Sequence, residues 1–343
     1  MLGLVITGAL LSHIPIESMR EVKALLLPVF TCSTHLLSPT WCPKRPPQSM
    51  VCVSSHIKSS CDCSMLKHRH HDTGKGLKSV TDEKLATGFQ VSEQNPILGL
   101  DSRAALLRSL GESLLENPGI FGEQGRPGNL VDYMINTAEN SSELDVLKFW
   151  DVLQTLLIPC WPKDRTTVSG FPIGDAWPLS TLKKHTDPSK TDGITAGIQP
   201  FHKLTQWLTY SLMVPFQRIL GIKWKNTDSL TALPEYRNGG LFVDLGAITL
   251  KKEAHERGIK ASGKELPLFD AGDDVVVEWR ALTLSLLDRV YESIISRMGQ
   301  GVHLSMAQVL EAGTWKSGRE IAAQRRPETK SSPILIQSDG TVF

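Results

Sequence analysis

The chain of 343 residues carries 37 Lys/Arg against 36 Asp/Glu, a formal net charge of +1, with 41% hydrophobic and 21% charged residues. That balance suits an ordinary soluble protein and supplies no global field to gather nucleic acid or an anionic membrane surface. No run reaches the ~20 apolar residues that would cross a bilayer, so the expectation is a cytoplasmic protein whose ligand is small.

Taken in chain order, residues 1–94 read as a poorly ordered leader, an alternative or mispredicted start. No apolar period persists there, and Pro39, Pro43, Pro46 and Pro47 break its middle. The opening MLGLVITGALLSHIPIE lacks the basic residues and small-residue cleavage pattern of a signal peptide. Cys52, Cys61, Cys63, His68, His70 and His71 are zinc-type donors, but their spacing matches none of the usual paired ligand patterns. No metal and no cofactor are expected.

From Asn95 the texture becomes helical, and residues 95–343 read as one compact, mainly α domain with at most a small β element. Asp101 can cap a helix whose Leu106, Leu107, Leu110 and Leu114 form a stripe, stopped by Asn117-Pro118-Gly119. Arg126-Pro127-Gly128 introduces a second helix, and Ser142 with Asp145 stands at capping-box spacing before a third. Residues 159–200, broken by many Pro and Gly, form a long loop anchored by Trp161, Phe171 and Trp177. FHKLTQWLTYSLMVPFQRIL is apolar nearly all round, with Pro215 expected to kink or shorten its end. VVVEWRALTLSLLDRVYESIISRM is another long helix, and a last one starts at Ser305, with Gln308 at capping-box spacing. LFVDLGAI and PILIQ are the strand candidates.

GTWKSGRE places Arg319 where a phosphate loop needs lysine, and no HExxH or GxSxG occurs. The remaining polar groups are Arg126 with Asp132, Asp175 beside Trp177, His202 with Gln206, Glu235 to Asp244, Glu278 and Arg280 around Trp279, and Arg319. Asn238-Gly239-Gly240 reads as a sharp turn at positive φ, flanked by Glu235, Arg237 and Asp244. An internal salt bridge explains any one of these groups, whereas several meeting in one pocket would make a ligand site.

RPGNLVDY (126–133), PFHKLTQWLTYSL (200–212), LPEYRNGGLFVDLG (233–246), EWRALTLSLLDR (278–289), LEAGTWKSGREIA (310–322) and SDGTVF (338–343) together resemble the uracil catabolism protein 4 family of fungi and bacteria. The resemblance covers residues 95–343, and the leader departs from it. It implies a place in a uracil-degrading, nitrogen-releasing route that opens the pyrimidine ring, beside a ring-opening enzyme like GTP cyclohydrolase II and a uracil phosphoribosyltransferase. Combined with the residues, it implies a hydrolase cleaving the N-glycosidic bond of ribosylurea or its phosphate. Asp244 or Glu235 would direct water at the anomeric carbon, with Asp175 in reserve. Arg237, Asn238, Gly239 and Arg126 would hold phosphate or ribose, with Asp132, His202, Gln206, Glu278, Arg280 and Arg319 as further polar contacts and Trp207 or Trp177 as an apolar wall. The rival expectation is a non-catalytic partner that binds an intermediate or docks on the ring-opening enzyme.

Overall fold

Caps, prolines and close glycine contacts set the boundaries of the helices. The computed structural model describes residues 73–187, 189, 193–299, 301 and 303–337. The cysteine and histidine group of residues 52–71 and the terminal SDGTVF lie outside these. The chain divides at Thr137/Ala138 into two compact units. That division falls inside the stretch expected to be one body, and two helices precede residue 95.

The first unit holds α1 (Gly74–Lys78), α2 (Asp82–Gly88), α3 (Leu100–Glu116), α4 (Pro118–Phe121) and α5 (Asn129–Asn136). Thr73 and Thr81 cap α1 and α2 by accepting backbone N–H groups at 3.1 and 3.3 Å. A Cβ on Gly74 would lie 2.7 Å from the Gly111 carbonyl oxygen, and one on Gly111 would lie 2.7 Å from the Lys78 nitrogen. This glycine pair lets α1 and α3 touch backbone to backbone. Leu107, Leu110 and Leu114 are buried as the stripe requires. Asp101 lies in the first turn, with left-handed Gly99 at the cap position instead.

The second unit begins with β1 (Glu143–Asp145), α6 (Val146–Leu157), β2 (Thr167–Val168), β3 (Phe171–Pro172), β4 (Ala176–Pro178), α7 (Ser180–His185) and β5 (Ile198–Pro200). It continues through α8 (Lys203–Leu220), β6 (Lys223–Lys225), α9 (Tyr236–Asp244), α10 (Lys252–Ser262), β7 (Leu268–Asp270) and α11 (Asp274–Met298). Last come α12 (Met306–Gln308), a π-helix (Val309–Trp315), α13 (Lys316–Arg325) and β8 (Leu335–Gln337). Described strands occur only as pairs: β1 with β6 and β7 with β8 parallel, β2 with β3 and β4 with β5 antiparallel. The fold is mainly α.

Asp145 caps α6, its Oδ1 accepting the Leu147 N–H at 2.9 Å. Phe149, Leu153 and Leu156 of α6 are fully buried, as are Leu212 and Phe216 of α8, and the Phe149 and Phe216 rings meet edge-on at 5.7 Å. Each such side chain contributes about 1.5–3 kcal/mol through burial. Pro215 does not shorten α8, which runs on to Leu220. PILIQ forms β8, but LFVDLGAI is no strand: its first half belongs to α9. The capping box at Ser305 and Gln308 is present in full.

Candidate functional site

Gly174, at φ +72°, turns the chain so that Asp175 enters the interior just before β4. The Arg280 guanidinium, from α11, forks onto the carboxylate at 2.8 Å (Oδ1) and 2.7 Å (Oδ2). Trp177 Nε1 donates to Oδ1 at 2.7 Å, and the backbone N–H of Lys203 donates to Oδ2 at 2.9 Å. Both side chains of the ion pair are buried. Burial alone would raise the Asp175 carboxyl, but the Arg280 charge and the other donors outweigh it and hold the group far below the usual carboxylate range. Arg280 also stacks on Phe201 at 4.0 Å, within a cluster containing Trp177, Leu179 and Val277.

The Asp175 carbonyl accepts the N–H groups of Phe201 and His202 at 2.9 and 3.0 Å. These bonds hold His202 in the left-handed region at φ 46°, immediately before α8, where non-glycine residues are strained. The next residue is Lys203, a cation at the positive end of a helix dipole, where one is disfavoured. Gln206, one turn on, accepts the Thr231 N–H at 3.2 Å, and Tyr210 Oη donates to the Thr231 carbonyl at 2.9 Å. Those bonds lay the approach to Glu235 along the first turns of α8. Glu235 then caps α9, its Oε2 accepting the N–H groups of Arg237 at 2.8 Å and Asn238 at 3.3 Å.

Lys203, Glu235 and His202 are only partly buried, so they border the surface behind which Asp175 and Arg280 are sealed. Desolvation, with Arg280 adding to it, drives the Lys203 amine down to about 8, and Glu235 and Asp175 offset this in part. Desolvation drives the Glu235 carboxyl up against the pull of Lys203 and two backbone N–H groups. Burial also lowers the His202 imidazole, against the attraction of Asp175.

Other expected residues are placed differently. Asn238-Gly239-Gly240 is no turn; it lies inside α9. Gly239 is needed for close packing, because a Cβ there would come within 2.7 Å of Thr283 Oγ1 and Trp279 Nε1. Asn238 is buried, its Nδ2 donating to the Leu233 carbonyl at 3.2 Å and its Oδ1 accepting from Thr314 at 2.9 Å. Asp244 sits at the opposite end of α9 from Glu235, about 13 Å away by helix rise. Arg326 grips it through two bonds of 2.8 and 2.5 Å.

Arg237 donates to the Lys330 carbonyl at 2.6 Å and stacks on Tyr236 at 4.8 Å. Arg319, exposed on α13, stacks on Trp315 at 4.8 Å. Burial and the Glu235 charge raise the Tyr236 phenol, while both arginines pull the other way, so all three charges share that neighbourhood. Trp207 and Glu278 are partly buried, and Arg280 is the member of the Glu278/Arg280 pair that turns inward. Arg126, exposed, and Asp132, partly buried, belong to the first unit, whereas every other candidate lies in the second. Lys203, Phe201 and Arg326 escaped the sequence reading. Lys203 left one signal, a cation opening an almost wholly apolar helix. Among the described residues no group of three or more His, Cys, Asp or Glu is assembled as a metal site.

Comparison with known proteins bears on this arrangement. A family model described as "Protein of unknown function (DUF1688)" matches residues 53–343. "Protein urg3" of Schizosaccharomyces pombe is 47% identical over 272 residues, covering 79% of this chain and 60% of that protein. "Uracil catabolism protein 4" of Lachancea kluyveri is 44% identical over 281 residues, covering 79% of this chain and 63% of that one. The chain thus spans less than two thirds of either relative.

Proposed function

We propose a function from one premise: the chain belongs to the DUF1688 family, and one of its relatives bears the name uracil catabolism protein 4. The protein acts in uracil catabolism, hydrolysing the N-glycosidic bond of a ring-opened intermediate, ribosylurea or its phosphate, to release urea. One observation carries this reading: two carboxyl groups around Lys203 are pushed in opposite directions, Asp175 down and Glu235 up. Such separation divides labour between a group fixed as an anion and a group displaced toward its protonated form.

Glu235 is the proton donor to the departing urea nitrogen: burial raises its carboxyl toward the protonated form, and its Oε1 is left clear of the two capping bonds, which both fall on Oε2. Asp175 is a positioning residue. Its oxygens are committed to four donors, and through them it fixes Trp177, Arg280 and the start of α8. Arg237 and Arg319, whose charges both act on Tyr236, would supply the contacts to a ribose phosphate. Asp244, engaged by Arg326 at the other end of α9, supports the fold.

The test is urea release by the full chain from ribosylurea and from its phosphate. Glu235→Gln, which keeps an acceptor at the cap, should lower turnover by about 10²–10⁴. Asp244→Asn should lower stability and leave turnover per folded molecule intact. Binding of either compound without urea release would replace the hydrolase with a binding or regulatory partner of the ring-opening enzyme.

A further inference from the structure

We propose that Lys203 is the nucleophile of this reaction, its Nζ bonding to the anomeric carbon and the reaction passing through an imine. The inference rests on the glycosidic reading above and names the attacking group that the reading leaves open.

Three observations point to it. Asp175 cannot attack, since Arg280, Trp177 and the Lys203 backbone occupy both its oxygens. Three elements meet the start of α8 around Lys203: its backbone is clamped to Asp175, the residue before β4, Arg280 reaches that same carboxylate from α11, and the Gln206–Thr231 bond brings the cap of α9 alongside α8. Lys203 also remains partly exposed as a residue, so it borders the surface, although burial acts on its amine. A lysine desolvated beside a second cation is the arrangement that keeps an amine neutral enough to attack near physiological pH, and the lowered Lys203 pKa agrees with it.

The step balances without an external oxidant or reductant. The lone pair of neutral Lys203 forms the bond to the anomeric carbon as the bond from that carbon to the urea nitrogen breaks. The departing nitrogen takes the Glu235 proton. The resulting carboxylate recovers a proton from the newly bonded amine, and passes one to the ring oxygen as the ring opens to an imine. Water adds to the carbon of this protonated imine, the carbon–Nζ bond breaks, and the proton left over returns to the Glu235 carboxylate, so that free pentose, the neutral amine and the protonated Glu235 are restored.

The test uses the unaltered full chain with sodium cyanoborohydride, which reduces an imine to a stable secondary amine. Incubation with ribosylurea should stop urea release progressively and leave a pentose-derived adduct on the peptide containing Lys203. Ribose with the same reductant should label Lys203 ahead of the surface lysines, and Lys203→Met should remove both adducts. Sustained urea release with no adduct would overturn the nucleophile while leaving the glycosidic reading standing. Ribose labelling spread evenly over the lysines would also overturn it. No urea release from either compound by the unaltered chain would overturn both.

Discussion

Four hydrogen bonds converge on the Asp175 carboxylate, and two of them come from a buried guanidinium. Removing the charge while keeping the shape therefore exposes what the pair does for the fold. Asp175→Asn should destabilise the protein by about 3–5 kcal/mol at neutral pH, because Arg280 is left buried without its counter-charge. Since the folded-state pKa is depressed, the stabilisation is fully present above the ordinary carboxylate value of about 3.9 and is lost as pH falls below it toward the folded value. Urea denaturation of both proteins at neutral pH and near pH 3 should show the gap narrowing on acidification, and an undiminished gap would refute the pairing. From sequence, Asp175 was visible only as an acid next to Trp177 in a proline-rich loop. Its partner lies 105 residues away, and no local period encodes that distance. Lys203 was harder still, because a lysine in a first turn reads as solvated until the neighbours that dehydrate it are known.

At the scale of elements, long helices were legible because they bury an apolar stripe, as Leu107, Leu110 and Leu114 of α3 do. The helix α9 was not, since its adjacent glycines each disfavour helix by about 1 kcal/mol relative to alanine and mimic a turn signal. Those glycines are there for packing. The π-helix was equally hidden, for its hydrogen-bond register has no compositional signature; such segments often mark functional sites, and Thr314 within this one holds Asn238. The same logic applies at Gly318 of α13, where a Cβ would press on the Arg237 carbonyl, 2.8 Å from its carbon. Gly318→Ala gains about 1 kcal/mol of helix propensity. The obstruction is backbone that cannot rotate aside, so overpacking of about 1–3 kcal/mol or more should prevail. A lower thermal midpoint is expected, and a raised one would mean that α9 and α13 can separate freely.

For the whole molecule, composition was a reliable guide to class but not to organisation. The mainly α character followed from periodicity, whereas the division at Thr137/Ala138 is marked in the sequence only by the short polar run TAENSSE (137–143). Charge behaves likewise: the total of +1 is uninformative about local fields, and Arg237 and Arg319 both act on Tyr236, opposed there by the Glu235 carboxylate. A near-neutral whole gives little long-range steering, so salt should act on recognition only where a substrate's own charge meets those arginines. Screening tightens from about 10 Å at 0.1 M salt to about 3 Å at 1 M. With ribosylurea, which is uncharged, kcat/KM should therefore stay flat across that range, while for its phosphate it should fall, chiefly through KM. Arg319→Gln should reproduce the fall at low salt and flatten the dependence, because the exposed member of the pair is the one that salt reaches. Equal, flat responses from both substrates would remove the arginines from phosphate recognition and leave the Lys203 cluster to bind the sugar without them.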